Sequence, residues 1–236
     1  MKKIFSAILV ITFMLFGSAY AEITVIDEPF SIRSGIGYGM TLTEAKAIED
    51  KNGVNSYVSS GIISYSGISI AGIPNSSLYF SADGYDWSKE TADYKADFFN
   101  HTPVGLIRYS FGRKLSAEQA ETIFESINEN LTQKYGTPFC TDINNRLLIK
   151  TSAPIIDNFL YADWRADRTI TGYAEWLVQY TDCYVLVSEI AYREKYKDDG
   201  TCSLCYRFIS YDEMESIYAE IQNSQEQAKE EIANDL

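Results

Sequence analysis

Three stretches of the chain place hydrophobic residues at helical spacing, and each begins with a capping sequence. Residues 41–44 (TLTE) form a capping box, in which the Thr oxygen and the Glu carboxylate satisfy free amides of the first turn. The short helix that follows is predicted to end near Gly53. Residues 116–119 (SAEQ) form a second capping box of the same kind.

The second capping box precedes the clearest helical stripe in the sequence. Spacings of three and four predict one buried face made of Ala120, Ile123, Phe124, Ile127 and Leu131. Gly136 and Pro138 end this helix, because glycine accepts a left-handed conformation and proline lacks an amide donor. A third helix begins at Ser210, with Glu213 three residues further on. Its inward positions are Met214, Ile217, Tyr218 and Ile221.

Between the helices, apolar and polar residues alternate with the period of two that is typical of β-strands. The segments with this pattern are 63–72, 76–87, 105–111, 173–180, 183–192 and 206–209. Asp83 and Gly84 are predicted to form a tight turn. Thr181 and Asp182 join two of the segments into a long hairpin. Residues 200–205 are expected to lie in the connection that follows it.

The order of these elements predicts an α+β fold in which helices pack on antiparallel β-sheet, because consecutive strands are joined by short turns. The globular region is expected to span 22–211 and to be followed by a C-terminal helix and acidic tail, 212–236. Residues 38–48 and 111–123 share an aromatic-Gly pair, a Leu and a hydroxyl residue before a helix. This similarity favours two similar halves, 22–105 and 106–211, although chance would also explain it.

Residues 36–49 (IGYGMTLTEAKAIE) carry a resemblance to known bacterial envelope proteins. Gly39, Met40, Thr41 and Glu44 resemble the Gly-Met/Lys-Thr-x-x-Glu helix entry of the BamE/SmpA and β-lactamase-inhibitor-like modules. Those families pack short helices on an antiparallel sheet and bind other proteins. The pattern departs from theirs after Gly53, where the proline of their Gly-x-Pro turn is missing. The resemblance therefore implies a fold and a class of function but transfers no site residues.

Residues 1–21 have the three parts of a secretory signal peptide. Lys2 and Lys3 precede an apolar run, and small residues lead to an expected cleavage site after Ala21. The apolar run is shorter than the roughly 20 residues that span a bilayer, and no other stretch could do so. We therefore expect a secreted or periplasmic protein of bacterial origin with no membrane span once the signal is removed.

The charge of the chain excludes one class of partner. The net charge is -13 and becomes -15 without the two lysines of the signal peptide. Nucleic-acid binding requires clustered Lys and Arg that displace counterions, so nucleic acid is not expected as a partner. The acidic surface would favour a basic partner or bound cations, and solubility alone is the simpler explanation.

The four cysteines, Cys140, Cys183, Cys202 and Cys205, form an even set in a chain expected to be exported. Disulfides persist in such compartments, which favours pairing Cys202 with Cys205 and Cys140 with Cys183. A redox CxxC would need a lowered thiol pKa, whereas Asp198 and Asp199 precede the motif and should raise it. A zinc site would need a second close pair of ligands. The sequence thus predicts disulfides, with no metal and no cofactor.

Other candidates for catalysis are incomplete in the sequence. Ser69 lies in a Gly-containing segment that resembles a nucleophile elbow, but its surroundings alternate like a strand. His101 is the only histidine and lies in a stretch that resembles a loop, so it is interpreted as a surface residue. The chain is therefore more consistent with a binding protein than with an enzyme.

Tyrosine is the most unusual feature of the composition, with 18 residues. Tyrosine suits both strands and binding surfaces, because an apolar ring ends in a hydroxyl. If the strand residues Tyr79, Tyr109, Tyr180, Tyr184 and Tyr192 share one exposed face, that face is the candidate contact surface. The sequence then favours an exported, non-catalytic module that binds an unknown protein or envelope component. The alternatives are a thiol-disulfide oxidoreductase that uses Cys202 and Cys205, or an unrecognised hydrolase.

Overall fold

The computed structural model describes residues 23–33, 35–141, 168–194, 197–217 and 219. The predicted cleavage site at Ala21 and most of the predicted acidic tail lie outside these residues. The described part is an α+β fold in which helices pack on a large, mainly antiparallel sheet, as the sequence predicted.

Within the described residues the fold has ten strands and four α-helices. The strands are β1 (Thr24–Val25), β2 (Ser31–Ile32), β3 (Ile36–Gly37), β4 (Ser56–Ser59), β5 (Ile62–Ile70), β6 (Ile73–Ser81), β7 (Leu106–Leu115), β8 (Arg168–Gln179), β9 (Tyr184–Glu194) and β10 (Gly200–Ile209). The helices are α1 (Leu42–Glu49), α2 (Ala92–His101), α3 (Ala117–Tyr135) and α4 (211–217).

Eight of the strands form one sheet in the order β1-β8-β9-β10-β7-β6-β5-β4. All neighbours are antiparallel except β1, which runs parallel to β8. Strands β2 and β3 form a separate hairpin. The first and last strands in the order, β1 and β4, are the two edges of the sheet, and β7 joins the earlier strands to the later ones by pairing with β6 and β10.

The main hydrophobic core lies between the sheet and helices α1, α2 and α3. The strands contribute alternate residues such as Phe80 and Val187, and the helices contribute Leu42, Phe98 and Leu131. A smaller cluster lies on the opposite side of the sheet, where α4 packs on β8, β9 and β10. It contains Leu177, Tyr184, Leu186, Ile209, Met214 and Ile217.

The capping sequences define the helix starts as predicted. The Thr41 and Ser116 side chains accept from the amides of Glu44 and Gln119, and in both cases the reciprocal half of the capping box is present. Helix α1 continues into a short 3-10 turn that ends at Gly53 with a φ of 76°. Helix α4 begins after Ser210, whose hydroxyl accepts from an amide of its first turn.

Three local predictions are wrong. Helix α2 was not predicted, and His101 is its last residue rather than part of a loop. Asp83 and Gly84 do not join two strands, because α2 intervenes between β6 and β7. Strand β10 begins at Gly200, so the CxxC lies within a strand rather than in a connection.

A helix followed by three antiparallel strands occurs twice along the chain. Helix α1 precedes β4, β5 and β6, and helix α3 precedes β8, β9 and β10. One continuous sheet contains both sets of strands. A duplication of two halves remains a prediction, and the boundary between them would fall within the sheet.

Helix α3 approaches the sheet closely at two glycines. A Cβ on Gly200 would lie 2.7 Å from the Cβ of Ala120 and 2.9 Å from the carbonyl oxygen of Ser116, so it would meet the start of the helix itself. A Cβ on Gly172 would lie 2.8 Å from ring atoms of Phe124, which is a side chain that can move. The two glycines therefore set how closely α3 packs on β10 and β8.

We expect Gly200→Ala to be more destabilising than Gly172→Ala. Overpacking costs about 1–3 kcal/mol, and the upper part of that range applies where the obstacle is helix backbone. The free energy of unfolding of both variants, measured with urea at one pH, checks the ranking. Equal losses of stability at the two positions would show that contact with the helix backbone at Gly200 costs no more than contact with the Phe124 ring at Gly172.

Candidate functional site

The CxxC occupies the middle of the sheet. Strand β10 lies between β9 and β7, and Cys202 and Cys205 are opposite Ala191 and Ser188 of β9. Because the two cysteines are three residues apart on one strand, their Cα atoms are separated by about 10 Å. Bridged Cα atoms lie within about 7 Å of each other, so the predicted Cys202–Cys205 bridge does not fit this strand.

The second predicted bridge does not fit either. Cys140 forms an isolated β-bridge with Glu175 in β8, whereas the carbonyl of Cys183 accepts from the amide of Tyr180 at the end of the same strand. Glu175, beside Cys140, and Tyr180, beside Cys183, are five residues apart along an extended chain. The two cysteines are therefore separated by about 16 Å along the strand direction. All four cysteines are buried, and no disulfide joins them. The structure therefore does not contain the predicted disulfides.

The environment of the CxxC does not favour thiol chemistry. Cys202 and Cys205 are 0% and 2% exposed. Burial, followed by the nearby carboxyl of Glu189, raises the pKa of Cys202 well above its ordinary value. The direction agrees with the sequence-based expectation, but its main cause is burial rather than the aspartates before the motif. A redox CxxC needs an accessible thiolate, and burial opposes both accessibility and ionisation.

The five predicted contact tyrosines do not share an exposed face. Tyr109 and Tyr180 lie in the main core on the helix side of the sheet, and Tyr184 lies in the smaller core under α4. Tyr192 is also buried. Tyr79 is half-buried and lies on the side of the sheet that faces away from α1, α2 and α3. Most of these tyrosines therefore serve packing.

Three exposed apolar side chains belong to the edge strand β4 and to the 3-10 turn that follows β6. Tyr57 and Val58 of β4 are 70% and 43% exposed, and Trp87 in that turn is 59% exposed. We refer to Tyr57, Val58 and Trp87 as the edge patch. The sequence did not predict these residues as a contact surface. Tyr57 and Val58 are exposed because β4 is the last strand of the sheet, and the order of the strands cannot be seen in the sequence.

Buried aromatic rings support the edge patch from below. The Trp87 ring packs edge-on against Tyr85, with 5.6 Å between the ring centroids, and Tyr85 packs in turn on Tyr94 and Phe98. Tyr85 is 4% exposed, so it fixes Trp87 to the core. The edge patch is therefore held by packed side chains rather than carried on an isolated loop.

Charged groups border the edge patch. Lys95 of α2 forms an ion pair with Glu90 at 2.7 Å and interacts electrostatically with both Tyr57 and Tyr85. The Glu90 carboxylate raises the pKa of Lys95, which keeps this residue cationic. The arrangement of exposed rings beside fixed charges is typical of protein contact surfaces, where aromatic residues supply area and charges supply orientation.

Tyr57 and Tyr79 lie in the same cross-strand row. The register places Tyr57 opposite Ser64, Ser64 opposite Tyr79 and Tyr79 opposite Arg108. Since directly opposite residues point to the same side of a sheet, this row extends from the edge patch across three further strands. Of the tyrosines predicted as contacts, Tyr79 alone is placed beside the edge patch in this way.

No catalytic arrangement is assembled around the other candidate residues. Ser69 is a residue of β5, as predicted, and His101 is exposed and pairs with Asp97. An open groove of about 770 Å³ runs between the start of β6 and α3, and its two ionisable lining residues, Lys114 and Glu118, are exposed. A hydrolytic pair would require converging groups in a protected pocket.

Metal sites and membrane spans are also absent from the described residues. No group of three or more His, Cys, Asp or Glu in the ranges given above could hold a metal ion. Within the same ranges, every helix is too short or too polar to cross a bilayer.

Sequence reasoning also missed the buried charged groups. Glu49 at the end of α1 is 1% exposed and accepts from Arg33 Nε at 2.9 Å, and Glu189 in β9 is fully buried. Both look like surface residues in the sequence, because glutamate is rarely buried. Their burial depends on which elements pack above them, and no local pattern reveals that.

Comparison of the chain with protein-family models, with curated proteins and with solved structures finds no match.

Proposed function

We propose that the protein is an exported, non-catalytic module that binds another protein or an envelope component through the edge patch. The observation that carries this proposal is the exposure of two aromatic side chains, Tyr57 on the edge strand and Trp87 in the 3-10 turn. Lys95 interacts with Tyr57 and with Tyr85, which packs against Trp87, so the two exposed rings are connected through shared neighbours. Exposed Trp and Tyr are the residues that most often dominate binding energy at protein interfaces. The net charge of -13 favours a partner with a basic surface.

Comparative affinity capture from envelope fractions of the producing cells tests the proposal. We expect the double variant Tyr57→Ala, Trp87→Ala to lose a partner that the unchanged protein retains, with affinity reduced about tenfold or more, which corresponds to about 1.4 kcal/mol. The retained partner is then identified and its affinity measured by titration calorimetry.

Val25→Ala is the matched control, because Val25 is 56% exposed and belongs to β1 at the other edge of the sheet. This variant should bind like the unchanged protein. If all three proteins retain the same partners with equal affinity, the edge patch is not the contact surface and the proposal fails.

A further inference from the structure

Glu189 is a carboxylic acid sealed between the sheet and helix α3. It lies in the middle of β9, opposite Ala174 of β8 and Leu204 of β10, and it is 0% exposed. Every second residue of a strand points to the same face, so its side chain lies on the same side of the sheet as the core residues Val185 and Val187. The carboxyl is therefore shielded from solvent.

Few groups are available to stabilise a charge on Glu189. The Cys202 thiol donates to Oε1 at 3.9 Å, and the side chain of Asn128 on α3 hydrogen-bonds the carboxyl, which partly opposes the effect of burial on its pKa. Oε2 has no hydrogen-bond partner within the described residues. The other titratable groups near this carboxyl are the thiol of Cys202 and the phenol of Tyr206. Both are uncharged, because burial raises their pKa values.

No cation faces this carboxyl in the part of the chain that the structure describes. On β8, Glu175 is directed to the other side of the sheet, where it accepts from Ser188. On α3, Glu125 and Glu129 are exposed to solvent. Burial therefore raises the pKa of Glu189 to about 8, so the acid keeps its proton at neutral pH.

We propose that Glu189 is a proton-dependent latch, which holds α3 on the sheet while it is protonated and favours release of the helix as its proton is lost. With α3 in place the carboxyl is 0% exposed, and no cation of the described residues faces it. With α3 displaced it would be hydrated like an ordinary glutamate.

The direction of the pH dependence follows from these two states. The closed state has a raised pKa of about 8, whereas a hydrated glutamate has a pKa of about 4.3. The contribution of Glu189 to closure is therefore complete below about pH 4.3 and is lost as the pH rises through the closed-state value. Between these values the open state releases a proton that the closed state retains, so the opening constant of α3 should rise about tenfold per pH unit.

Hydrogen exchange measured by mass spectrometry on the full chain tests the latch. After correction for intrinsic exchange rates, the opening constant of the α3 peptides should rise about 100-fold between about pH 5.5 and about pH 7.5 in the unchanged protein. Glu189→Gln keeps the size of the protonated acid but cannot ionise, so its α3 peptides should change little over this range. Glu125→Gln is the matched control on the exposed face of α3 and should behave like the unchanged protein.

Two results would overturn the proposal. One is an opening constant for α3 that does not change with pH in the unchanged protein. The other is an equal change in the peptides of β5 and β6, which would show a global loss of stability instead of release of α3. Infrared spectroscopy of the unchanged protein gives a separate check, because a buried protonated carboxylic acid should be visible at neutral pH and absent from Glu189→Gln.

Discussion

Replacement of Trp176 by alanine should cost about 3–5 kcal/mol of the free energy of unfolding, because this substitution removes the largest of the fully buried side chains among the described residues. Trp176 is 1% exposed and lies on the helix side of β8. Its Nε1 donates to the carbonyl oxygen of Gly136 at 2.9 Å, directly after the end of α3. The alanine variant therefore loses both packing and the bond that fixes the end of this helix to the sheet.

Urea denaturation of a small series separates these two contributions. Trp176→Phe retains most of the ring but cannot donate, and we expect it to lose about 1–3 kcal/mol from the unsatisfied carbonyl. Trp87→Ala is the matched control, because it removes the same side chain from a site that is 59% exposed and should cost only about 1 kcal/mol, from the loss of its contact with Tyr85. A loss at Trp87 as large as that at Trp176 would contradict the assignment of Trp176 to the core.

The parts of the fold that were predicted correctly depend on signals within a few residues. The capping box at 116–119 and the apolar stripe that follows defined α3, and both are properties of a single helix. Helix α2 has no such stripe. Its buried residues Phe98 and Phe99 are adjacent, and Tyr94, four residues before Phe98, extends the apolar spacing over a single turn only, so its neighbourhood resembled a loop.

The position of the CxxC was mispredicted because β10 is covered on both sides. Most residues of this strand are buried, including Ser203 and Arg207, so it lacks the alternation that marks a strand with one solvated face. The cysteines were consequently placed in a connection, where a bridge is geometrically possible. Because residues 202–205 are extended within one strand, the two Cα atoms lie too far apart for a bridge.

The candidate sites needed the order of the strands, which the sequence does not contain. Tyr57 is exposed because β4 ends the sheet, and Tyr109 is buried because β7 lies within it. Glu189 follows the same alternation as an ordinary strand residue, and only the position of α3 above it makes it a buried acid. Tyrosine and glutamate are compatible with both environments, so residue type alone could not separate them.

Arg33→Met should be the second strongly destabilising substitution, because it leaves the carboxylate of Glu49 buried without its partner. The Arg33 guanidinium donates to both carboxylate oxygens of Glu49, which is 1% exposed, and it lies 6.0 Å from the centre of the Tyr109 ring. Removal of one partner of a buried ion pair costs about 3–5 kcal/mol. Since a quarter of the Arg33 side chain is exposed, we expect the lower end of that range.

A double substitution distinguishes the cost of an unpaired charge from the value of the pair. Arg33→Met combined with Glu49→Met removes both charges and retains apolar volume, so most of the lost stability should return. Lys46→Met is the control, because it breaks the exposed pair between Lys46 and Asp50 and should cost at most about 1 kcal/mol. If the double variant is as unstable as Arg33→Met alone, the loss comes from packing at Arg33, including its contact with Tyr109, and not from the buried carboxylate.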